Sequence, residues 1–385
     1  MHILFVTPNY PTPGNPFTAF VAAFCEEAAR QGNHISVVAP CNISSHIKHH
    51  IPIPPRHELI DIGAGIEVFR LHYMGLGYGG RIRRAVTTLM IRIVTEFCVW
   101  RRKINADVIY GQFFLFSLVC VHISQRKGIP IFVDCGEDVI QPNRHIGKHQ
   151  LQKALRQING VVCVSQKNRE ECITKGYSQE ENTRVFVNGY NPIEFYPTNQ
   201  AEQRRMLGLP PDAFIVIFCG RFNHRKGAMR VQQAVRQLED PQIKTIYIGR
   251  PVENETWMPS GDEVLFCGTL PHDQIVHYLG AADVYVFPTL MEGCPNTTIE
   301  AMACGLPIVS SDCSFNYDIL DKDNAILLDP MDIDAIATAI KQLKDNPDLR
   351  KRMSAASLRK ASSLTIENRV RSILNFICQR KGDVN

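Results

Sequence analysis

The stretch Phe287-Pro-Thr-Leu-Met-Glu-Gly-Cys-Pro-Asn-Thr-Thr-Ile-Glu-Ala-Met-Ala-Cys-Gly-Leu-Pro307 is the part of the chain that decides the fold. The apolar run that ends at Phe287 has the composition of a buried strand, and Pro288 ends it. A short helical pattern begins at Thr297, and the apolar run from Pro307 predicts another strand. Strand, loop, helix and strand in succession are typical of a parallel sheet flanked by helices.

The same alternation runs through both halves of the 385 residues. We therefore predict an α/β protein with two Rossmann-like, doubly wound parallel-sheet domains that face each other across a cleft. The predicted strands are residues 3–6, 35–39, 108–110, 131–133, 161–164, 185–187, 215–219, 245–248, 264–266, 284–287 and 307–310.

The turn-rich run Asn188-Gly-Tyr-Asn-Pro192 separates the two halves. We predict an N-terminal domain over residues 1–190, a C-terminal domain over residues 191–364, and a final helix within residues 365–385 that packs back on the domains. Thr365 is the predicted cap of that helix. Its apolar face is predicted to contain Ile366, Val370, Ile373, Leu374 and Ile377.

Two loops that follow predicted strands carry the chemistry, as expected where ligands bind beyond the carboxyl ends of parallel strands. Residues 293–296 can present backbone N–H groups, and the helix that starts at Thr297 adds the positive end of its dipole, so the loop predicts an anion site. In Phe218-Cys-Gly-Arg-Phe-Asn-His-Arg-Lys-Gly227, Arg221 and Lys226 are two fixed cations that can neutralise a departing diphosphate. Such cations make a divalent metal optional.

Both loops resemble those of the retaining nucleotide-sugar glycosyltransferases of the GT-B type, family four. The resemblance covers nearly the whole chain and several spaced motifs in the same order. They are Val187-Asn-Gly189 before Phe195-Tyr-Pro197, Gly220-Arg221 with Lys226-Gly227, and Glu292 to Glu300 with Ala301, Gly305 and Pro307.

The resemblance implies a role for each of these residues. Arg221 and Lys226 would hold the donor diphosphate beside Gly220, and Glu300 would accept hydrogen bonds from the ribose hydroxyls. Glu292 would orient the donor sugar. The remaining donor-binding residues that it implies are Gly293, Cys294, Asn296 and Thr297, with Gly14 under the diphosphate. The C-terminal domain would thus bind the nucleotide sugar and the N-terminal domain the acceptor.

The chain departs from the family pattern at three places. The first loop reads Pro13-Gly14-Asn15-Pro16 where many relatives have paired glycines, and Cys313-Ser314-Phe315 replaces another glycine pair. Cys135 stands where many relatives have a histidine, so Glu137 or Asp138 becomes the candidate for the sugar contact, and Asp138 is our candidate catalytic residue in this domain.

Each of these residues also has a purely structural interpretation. Thr297 and Glu300 have capping-box spacing, and Arg221 and Lys226 would be surface charges in most proteins. Glu292 would be a loop acid and Gly14 a turn glycine. Glu137 and Asp138 would cap a helix or bind loop amides, and Cys135 would simply be packed.

Charge is distributed unevenly, with +7 in residues 1–190 and −3 in the remainder. Residues 81–103 contain seven Arg and Lys residues and only one acid, Glu96. The same stretch contains apolar residues near helical spacing: Ile82, Val86, Leu89, Met90, Ile93, Val94 and Phe97. It predicts a helix whose apolar face packs on the core. The alternative is an interfacial helix resting on anionic lipid, and no motif suggests nucleic-acid binding.

No metal site and no cofactor is expected from the sequence. Thirteen cysteines without a Cys-x-x-Cys pair suggest a reducing compartment. The acids of Asp321-Lys-Asp323 and Asp332-Ile-Asp334 are interpreted as turn and capping residues. No stretch approaches the roughly 20 apolar residues of a membrane span. We therefore expect a cytoplasmic protein, or one peripheral to the inner face of the plasma membrane.

The function that these features predict is sugar transfer from a nucleotide-diphosphate sugar to an unidentified acceptor. By the resemblance, the transfer proceeds with retention and the acceptor is a lipid-linked or growing polysaccharide of a bacterial capsule, exopolysaccharide or lipopolysaccharide. No carboxylate nucleophile stands out, so same-face attack assisted by the departing phosphate is expected. Two alternatives remain open: a nucleotide-sugar epimerase or hydrolase on the same fold, and a catalytically idle sugar-nucleotide-binding scaffold.

Overall fold

A computed structural model describes residues 1–12, 18–48, 50–77, 79–144, 146–252 and 255–382. The chain divides into two compact units. The first unit combines Met1–Phe186 with Arg369–Asn385, and the second is Val187–Asn368.

The first unit alternates strands with helices along the chain. Its elements are β1 (His2–Val6), α1 (Ala19–Arg30), β2 (His34–Val38), β3 (Cys41–Asn42), α2 (Ile43–Lys48), β4 (His57–Ile60), β5 (Ile66–Phe69), β6 (His72–Tyr73), α3 (Arg81–Arg101), β7 (Val108–Gln112), α4 (Phe113–Leu118), α5 (Val121–Lys127), β8 (Ile131–Cys135), α6 (Lys148–Leu155), β9 (Ile158–Cys163), α7 (Gln166–Thr174) and β10 (Thr183–Val185).

Eight of these strands form one sheet in the order β10-β9-β8-β7-β1-β2-β5-β4. All neighbours are parallel except β4, which pairs antiparallel with β5. The order reverses between β1 and β7, which pair from Ile3↔Val108 to Val6↔Gly111. Because the central strands are covered on both faces, they are continuous apolar runs, as buried parallel strands usually are.

The second unit contains the other parallel sheet. Its elements are α8 (Gln200–Leu207), β11 (Phe214–Cys219), α9 (Ala228–Gln237), β12 (Ile243–Ile248), β13 (Val264–Gly268), α10 (Ile275–Ala281), β14 (Val284–Phe287), α11 (Asn296–Ala303), β15 (Ile308–Ser311), β16 (Ala325–Leu328), α12 (Ile333–Asp345) and α13 (Pro347–Ala361). The strand order is β13-β12-β11-β14-β15-β16, and every pair is parallel. This is the doubly wound Rossmann order.

The prediction of two Rossmann-like α/β domains is confirmed. Ten of the predicted strands coincide with β1, β2, β7, β8, β9 and β11 to β15. The strand predicted at residues 185–187 is displaced, because β10 pairs with β9 only from Thr183↔Val161 to Val185↔Cys163.

The last helix, α14 (Ile366–Gly382), begins as predicted. Thr365 Oγ1 accepts a hydrogen bond from the Asn368 N–H at 3.2 Å, which caps the helix. The five residues of its predicted apolar face are all buried. From Arg369 onward the helix belongs to the first unit, where Phe376 lies 5.9 Å from the Phe132 ring.

The basic stretch does form a helix, α3, but four of the seven apolar residues of its predicted face are exposed, whereas Met90 and Val94 pack partly against the core. Ile82 is 79% exposed, and Leu89, Ile93 and Phe97 are each about half exposed. The buried positions of α3 are Thr87, Thr88, Ile91, Thr95, Cys98 and Val99. The expectation of an apolar face packed on the core is therefore wrong for the four exposed side chains, because smaller and β-branched residues make the contact with the core.

Candidate active site

The sheet of the second unit reverses its strand order between β11 and β14. These two strands pair at Val216↔Val284 and Ile217↔Tyr285, so the loops that follow them begin side by side at the carboxyl edge. Ligands of doubly wound sheets bind in the crevice at such a reversal. Both loops singled out in the sequence start here.

The loop after β11 carries the two predicted cations. Arg221 is exposed, whereas Lys226 is half-buried. Gly227 ends the loop with a φ of 87°, a left-handed conformation that favours glycine. A Cβ atom there would lie 2.6 Å from the Pro288 carbonyl oxygen, so a side chain at this position would separate the two loops.

Glu292 and Lys226 connect the two loops directly. The Lys226 ammonium forms an ion pair with Glu292 Oε1, which also accepts a hydrogen bond from Thr289 Oγ1 at 2.8 Å. The Glu292 side chain is 8% exposed and that of Lys226 is 15% exposed. The Lys226 ammonium also lies 5.3 Å from the centre of the Phe287 ring. Lys226, which is predicted to bind the diphosphate, is thus in contact with Glu292, which is predicted to orient the sugar.

The start of α11 lies beside this pair in the same loop. The helix begins at Asn296, one residue earlier than predicted, after the buried residues Gly293 and Cys294. Asn188 Nδ2 donates to the Cys294 carbonyl at 3.3 Å and to Asn296 Oδ1 at 2.6 Å, which fixes the loop ahead of the helix. The first N–H groups of a helix have no carbonyl partner within it, so this end attracts anions.

The capping-box interpretation of Thr297 and Glu300 is wrong. Thr297 lies inside the helix, and its hydroxyl is 2.7 Å from the Tyr285 hydroxyl. Glu300 instead lies 3.6 Å from His272 Nε2 and is 9% exposed. Glu300 is therefore available for a role outside the helix cap.

His272 is a site residue that the sequence analysis missed. Its Nδ1 lies 2.8 Å from Glu194 Oε2, and its ring packs edge-on against Phe195 at 5.1 Å. Hydrogen bonds to Glu194 and Glu300 raise the pKa of His272 to about 10. The imidazolium consequently holds the Glu300 carboxylate in place at neutral pH. Its position in the turn after β13 was the signal that could have identified it.

The first unit contains the other candidate residues. The Asp138 carbonyl accepts a hydrogen bond from Lys167 Nζ at 2.9 Å, and its carboxylate stays a predicted catalytic group. Glu137 Oε1 accepts the Phe114 N–H at 2.9 Å, and burial raises the pKa of Glu137 to about 7. Gly14 lies outside the described residues.

Cys135 is fully buried in the core of the first unit, and burial raises the pKa of its thiol well above the usual range. Its sulfur lies 3.6 Å from that of Cys172. With Cys163 these thiols form a group whose sulfur atoms lie within 4.8 Å of one another, the one potential metal-ligand cluster that the described part of the chain contains. Protonated thiols are poor metal ligands, so this arrangement fits core packing.

The two Asp-x-Asp triplets serve local structure, as predicted. Asp321 accepts the Asp323 N–H at 2.9 Å and pairs with the Lys360 ammonium at 2.6 Å. Asp332 caps α12 by accepting the Ala335 N–H at 2.9 Å, and Asp334 accepts from Gln237 Nε2 at 2.6 Å. Each triplet therefore has an acid engaged in its own turn or helix start and an acid, Asp321 or Asp334, in contact with a neighbouring helix.

Comparison with known proteins connects this site to one enzyme family. Residues 199–360 match the family model of the glycosyl transferases group 1. The TuaC protein of Bacillus subtilis (strain 168), named as a teichuronic acid biosynthesis glycosyltransferase, is 27% identical over 88% of each chain. A D-inositol 3-phosphate glycosyltransferase of Acidothermus cellulolyticus is 25% identical over 70% of this chain and 66% of its own.

Solved structures show the same fold over nearly the whole chain. Sucrose-phosphate synthase from Thermosynechococcus elongatus has a TM-score of 0.77 at 21% identity, and the match covers 98% of each chain. Anabaena Alr3699/HepE in complex with UDP-glucose has a TM-score of 0.70 at 19% identity, covering 98% of this chain and all of the other. Residues 199–360 therefore match the glycosyl transferases group 1, and the comparisons together support a glycosyltransferase with the two-domain GT-B fold.

Proposed function

We propose that this glycosyltransferase binds a nucleotide-diphosphate sugar at the strand reversal of the second unit and transfers the sugar with retention. The observation that carries the proposal is the Lys226–Glu292 contact, which brings the cationic loop after β11 against the acidic loop and helix start after β14. The crevice contains cations and a helix N-terminus, which suit a diphosphate, and two buried carboxylates, which suit the hydroxyls of the ribose and the sugar.

The diphosphate would bind between Arg221, Lys226 and the first turn of α11. The phosphate oxygens would accept hydrogen bonds from charged donors there. The same groups would stabilise the negative charge that develops on the leaving group. Glu292 keeps its hydrogen bond from Thr289 when Lys226 turns toward phosphate, so the carboxylate does not lose every partner. It can then accept a hydroxyl of the donor sugar.

The nucleoside would be held by Glu300 with His272 behind it. A carboxylate that accepts two ribose hydroxyls must be fixed in orientation, and the imidazolium of His272 provides that constraint through its contact with Glu300. Phe195 and Glu194 in turn fix the histidine ring. A hydrogen bond to a charged group contributes about 1.5 to 3 kcal/mol, so this pair can dominate nucleoside recognition.

Retention would follow from attack on the face that the nucleotide leaves. The bond between the anomeric carbon and the phosphate oxygen breaks, the acceptor oxygen bonds to that carbon, and the departing phosphate takes the acceptor proton. Arg221 and Lys226 would stabilise the diphosphate as this bond breaks. No metal is required by this scheme, because side-chain cations and the helix dipole supply the positive charge.

The acceptor in this proposal is a lipid-linked or growing polysaccharide, made at the cytoplasmic side of a bacterial membrane. The support is the similarity to TuaC, whose name places it in teichuronic acid biosynthesis. A UDP-sugar is the first donor to test, because Anabaena Alr3699/HepE, which has the same fold, forms complexes with UDP and UDP-glucose.

Calorimetric titration with UDP, GDP and ADP, followed by assays with the matching nucleotide sugars, tests the proposal. We expect one nucleotide to bind and Glu300→Gln to weaken that binding at least about tenfold, since one charged hydrogen bond is lost. Glu202→Gln, at an exposed position on α8, is the matched control and should bind normally.

The products distinguish transfer from its alternatives. Sugar release without acceptor, or interconversion of the donor, would indicate a hydrolase or epimerase. Binding without turnover across acceptors would indicate a scaffold. Equal nucleotide affinity of Glu300→Gln and the unmodified protein would contradict the assignment of the donor site.

A further inference from the structure

Helix α3 carries an apolar stripe on the side opposite its contact with the core. An α-helix turns about 100° per residue, which places Ile82, Val86, Leu89, Ile93, Phe97 and Trp100 within a sector of about 80°. The buried positions, Thr87 to Val99, centre roughly half a turn away. Apart from the half-buried Val86, the stripe is exposed, with Trp100 at 71% and Ile82 at 79%. Surface helices normally bury their apolar side, so this arrangement requires an explanation.

Basic side chains flank the stripe on both edges. By the same geometry, Arg83 and Arg101 lie along one edge, and Arg81 and Arg92 lie along the other. The one acid of the helix, Glu96, is already paired with Arg92 at 2.9 Å and lies 3.9 Å from Arg126. The surface that α3 presents is therefore apolar along its centre and cationic at its margins.

Two basic cavities open beside the second half of the helix. One, of about 720 Å³, is lined by Trp100, by the acid Glu96 and by four cations, Arg101, Lys103, Arg126 and Lys127. The other, of about 330 Å³, lies by Phe97 and is lined by Arg56, Arg101 and Arg102. Cavities of this size and charge can accept phosphate-bearing headgroups next to an apolar surface.

We propose that α3 docks this protein onto a phospholipid bilayer that carries anionic headgroups. The stripe enters the boundary between headgroups and acyl chains, and the two basic cavities receive lipid phosphates. A helix of 21 residues is about 31 Å long, so the whole stripe can lie flat on the surface.

The charge of the helix disfavours a second copy of the chain as the occupant. Residues 81–103 carry seven cations and one acid, so two copies meeting along this stripe would bring like charges together at both margins. An anionic bilayer instead complements both the charge and the apolar centre. The inference concerns the first unit alone and does not depend on the donor site.

Co-sedimentation with vesicles tests the docking directly. We expect the full chain to sediment with vesicles of equal parts phosphatidylglycerol and phosphatidylcholine, but not with phosphatidylcholine alone, and high salt to release it. Trp100 gives a second readout when Trp257→Phe removes the other tryptophan of the chain. Its emission should shift to shorter wavelength on anionic vesicles and stay unchanged with neutral ones.

Matched variants separate the stripe from its charges. Arg101→Glu with Arg102→Glu should weaken vesicle binding at least about 25-fold, since each basic residue near an anionic surface strengthens binding by about fivefold. Lys351→Glu with Arg352→Glu, an exposed basic pair on α13, should bind normally. Ile93→Asp should abolish the tryptophan shift, whereas Ile193→Asp, at another exposed isoleucine, should not.

Four outcomes would overturn the proposal. They are absence of binding to anionic vesicles, equal binding to neutral ones, normal binding by the Arg101 and Arg102 variant, and a dimer that Ile93→Asp dissociates. The last would make a second copy the occupant. Because vesicle binding is measured without nucleotide sugar, failure here would leave the proposed transfer intact, and failure of donor binding would leave this result intact.

Discussion

Lys226 and Glu292 are 66 residues apart in the chain and form an ion pair in the crevice between the loops after β11 and β14. Both side chains are largely withdrawn from water. Removing one partner of a buried pair leaves an uncompensated charge, which is usually more costly than removing both. This pair therefore couples the stability of the second unit to its proposed chemistry.

The coupling predicts different results for stability and for turnover. Lys226→Met should lower the free energy of unfolding by about 3 kcal/mol, because Glu292 is left charged and buried. Adding Glu292→Gln should restore most of that stability, since the charge is removed. Turnover should stay at least about a hundredfold below normal in both variants, because the diphosphate has lost a cation. Urea unfolding and initial rates measure the two effects, and recovered turnover in the double variant would contradict the role of Lys226.

Unlike replacement of Lys226, replacement of Arg221 should lower turnover without lowering stability. Its side chain is exposed, so Arg221→Ala should leave the unfolding midpoint nearly unchanged. Turnover should fall about a hundredfold if the guanidinium stabilises the leaving diphosphate. Arg205→Ala, at an exposed arginine on α8 in the same unit, is the control and should retain full activity. A normal rate for Arg221→Ala would remove this residue from the mechanism.

Much of the fold was predictable because the central strands are buried on both faces. Their sequences are short apolar runs, such as Ile215 to Cys219. Such a run can be identified as a strand without knowing which strands lie beside it. The strands that were missed are short and lie toward the sheet edges. In β4, for example, burial alternates between exposed and intermediate residues, so no apolar run marks it.

The candidate site was predictable in part. Arg221, Lys226, Glu292 and Glu300 follow two strands that pairing makes neighbours, so the alternation of strands and helices was enough to place their loops at one edge of the sheet. Their individual roles were implied by the family resemblance and stay predictions. The Lys226–Glu292 contact could not be predicted, because side-chain pairing between loops depends on the path of each loop. His272 was missed because the residues that give it meaning, Glu194 and Glu300, lie 78 positions before it and 28 after it.

Helix α3 shows the limit of periodicity as a signal. The spacing of its apolar residues correctly predicted a helix with one apolar stripe, but not the side on which the core lies. Half of its buried positions are threonines, Thr87, Thr88 and Thr95, and threonine is no strong marker of burial. Only the packing against the sheet decides the orientation.

The ion cluster around His272 predicts a pH dependence of stability. The pKa of His272 is raised from 6.5 to about 10 by Glu194 and Glu300. A raised pKa stabilises the folded state fully below about pH 6.5, and that contribution is lost as the pH rises toward 10. The stability difference between the unmodified protein and His272→Gln should therefore shrink between pH 6.5 and 10, measured by urea unfolding at each pH. A constant difference would mean that the histidine is held by packing alone.

The last prediction concerns the source of the positive charge that opposes the diphosphate. Two electrostatic designs can serve a nucleotide-sugar site: a divalent cation held by paired acids, or fixed side-chain cations beside a helix N-terminus. The crevice between β11 and β14 has the second arrangement in Arg221, Lys226 and the start of α11. Asp321 is committed instead to Lys360 and to the turn at Asp323. We therefore expect full activity in excess chelator, with no gain from magnesium or manganese.

Nucleoside diphosphate release, assayed with chelator and then with each metal added back, measures this directly. Asp323→Ala is the informative variant, because Asp321→Ala would also break the contact with Lys360 and could alter stability for that reason alone. Asp323 contributes its backbone N–H to the turn, so truncating its side chain leaves that hydrogen bond possible. Loss of activity in chelator, rescue by metal and abolition of that rescue by Asp323→Ala would together show that a metal held by this triplet, and not the two side-chain cations alone, opposes the charge of the leaving group.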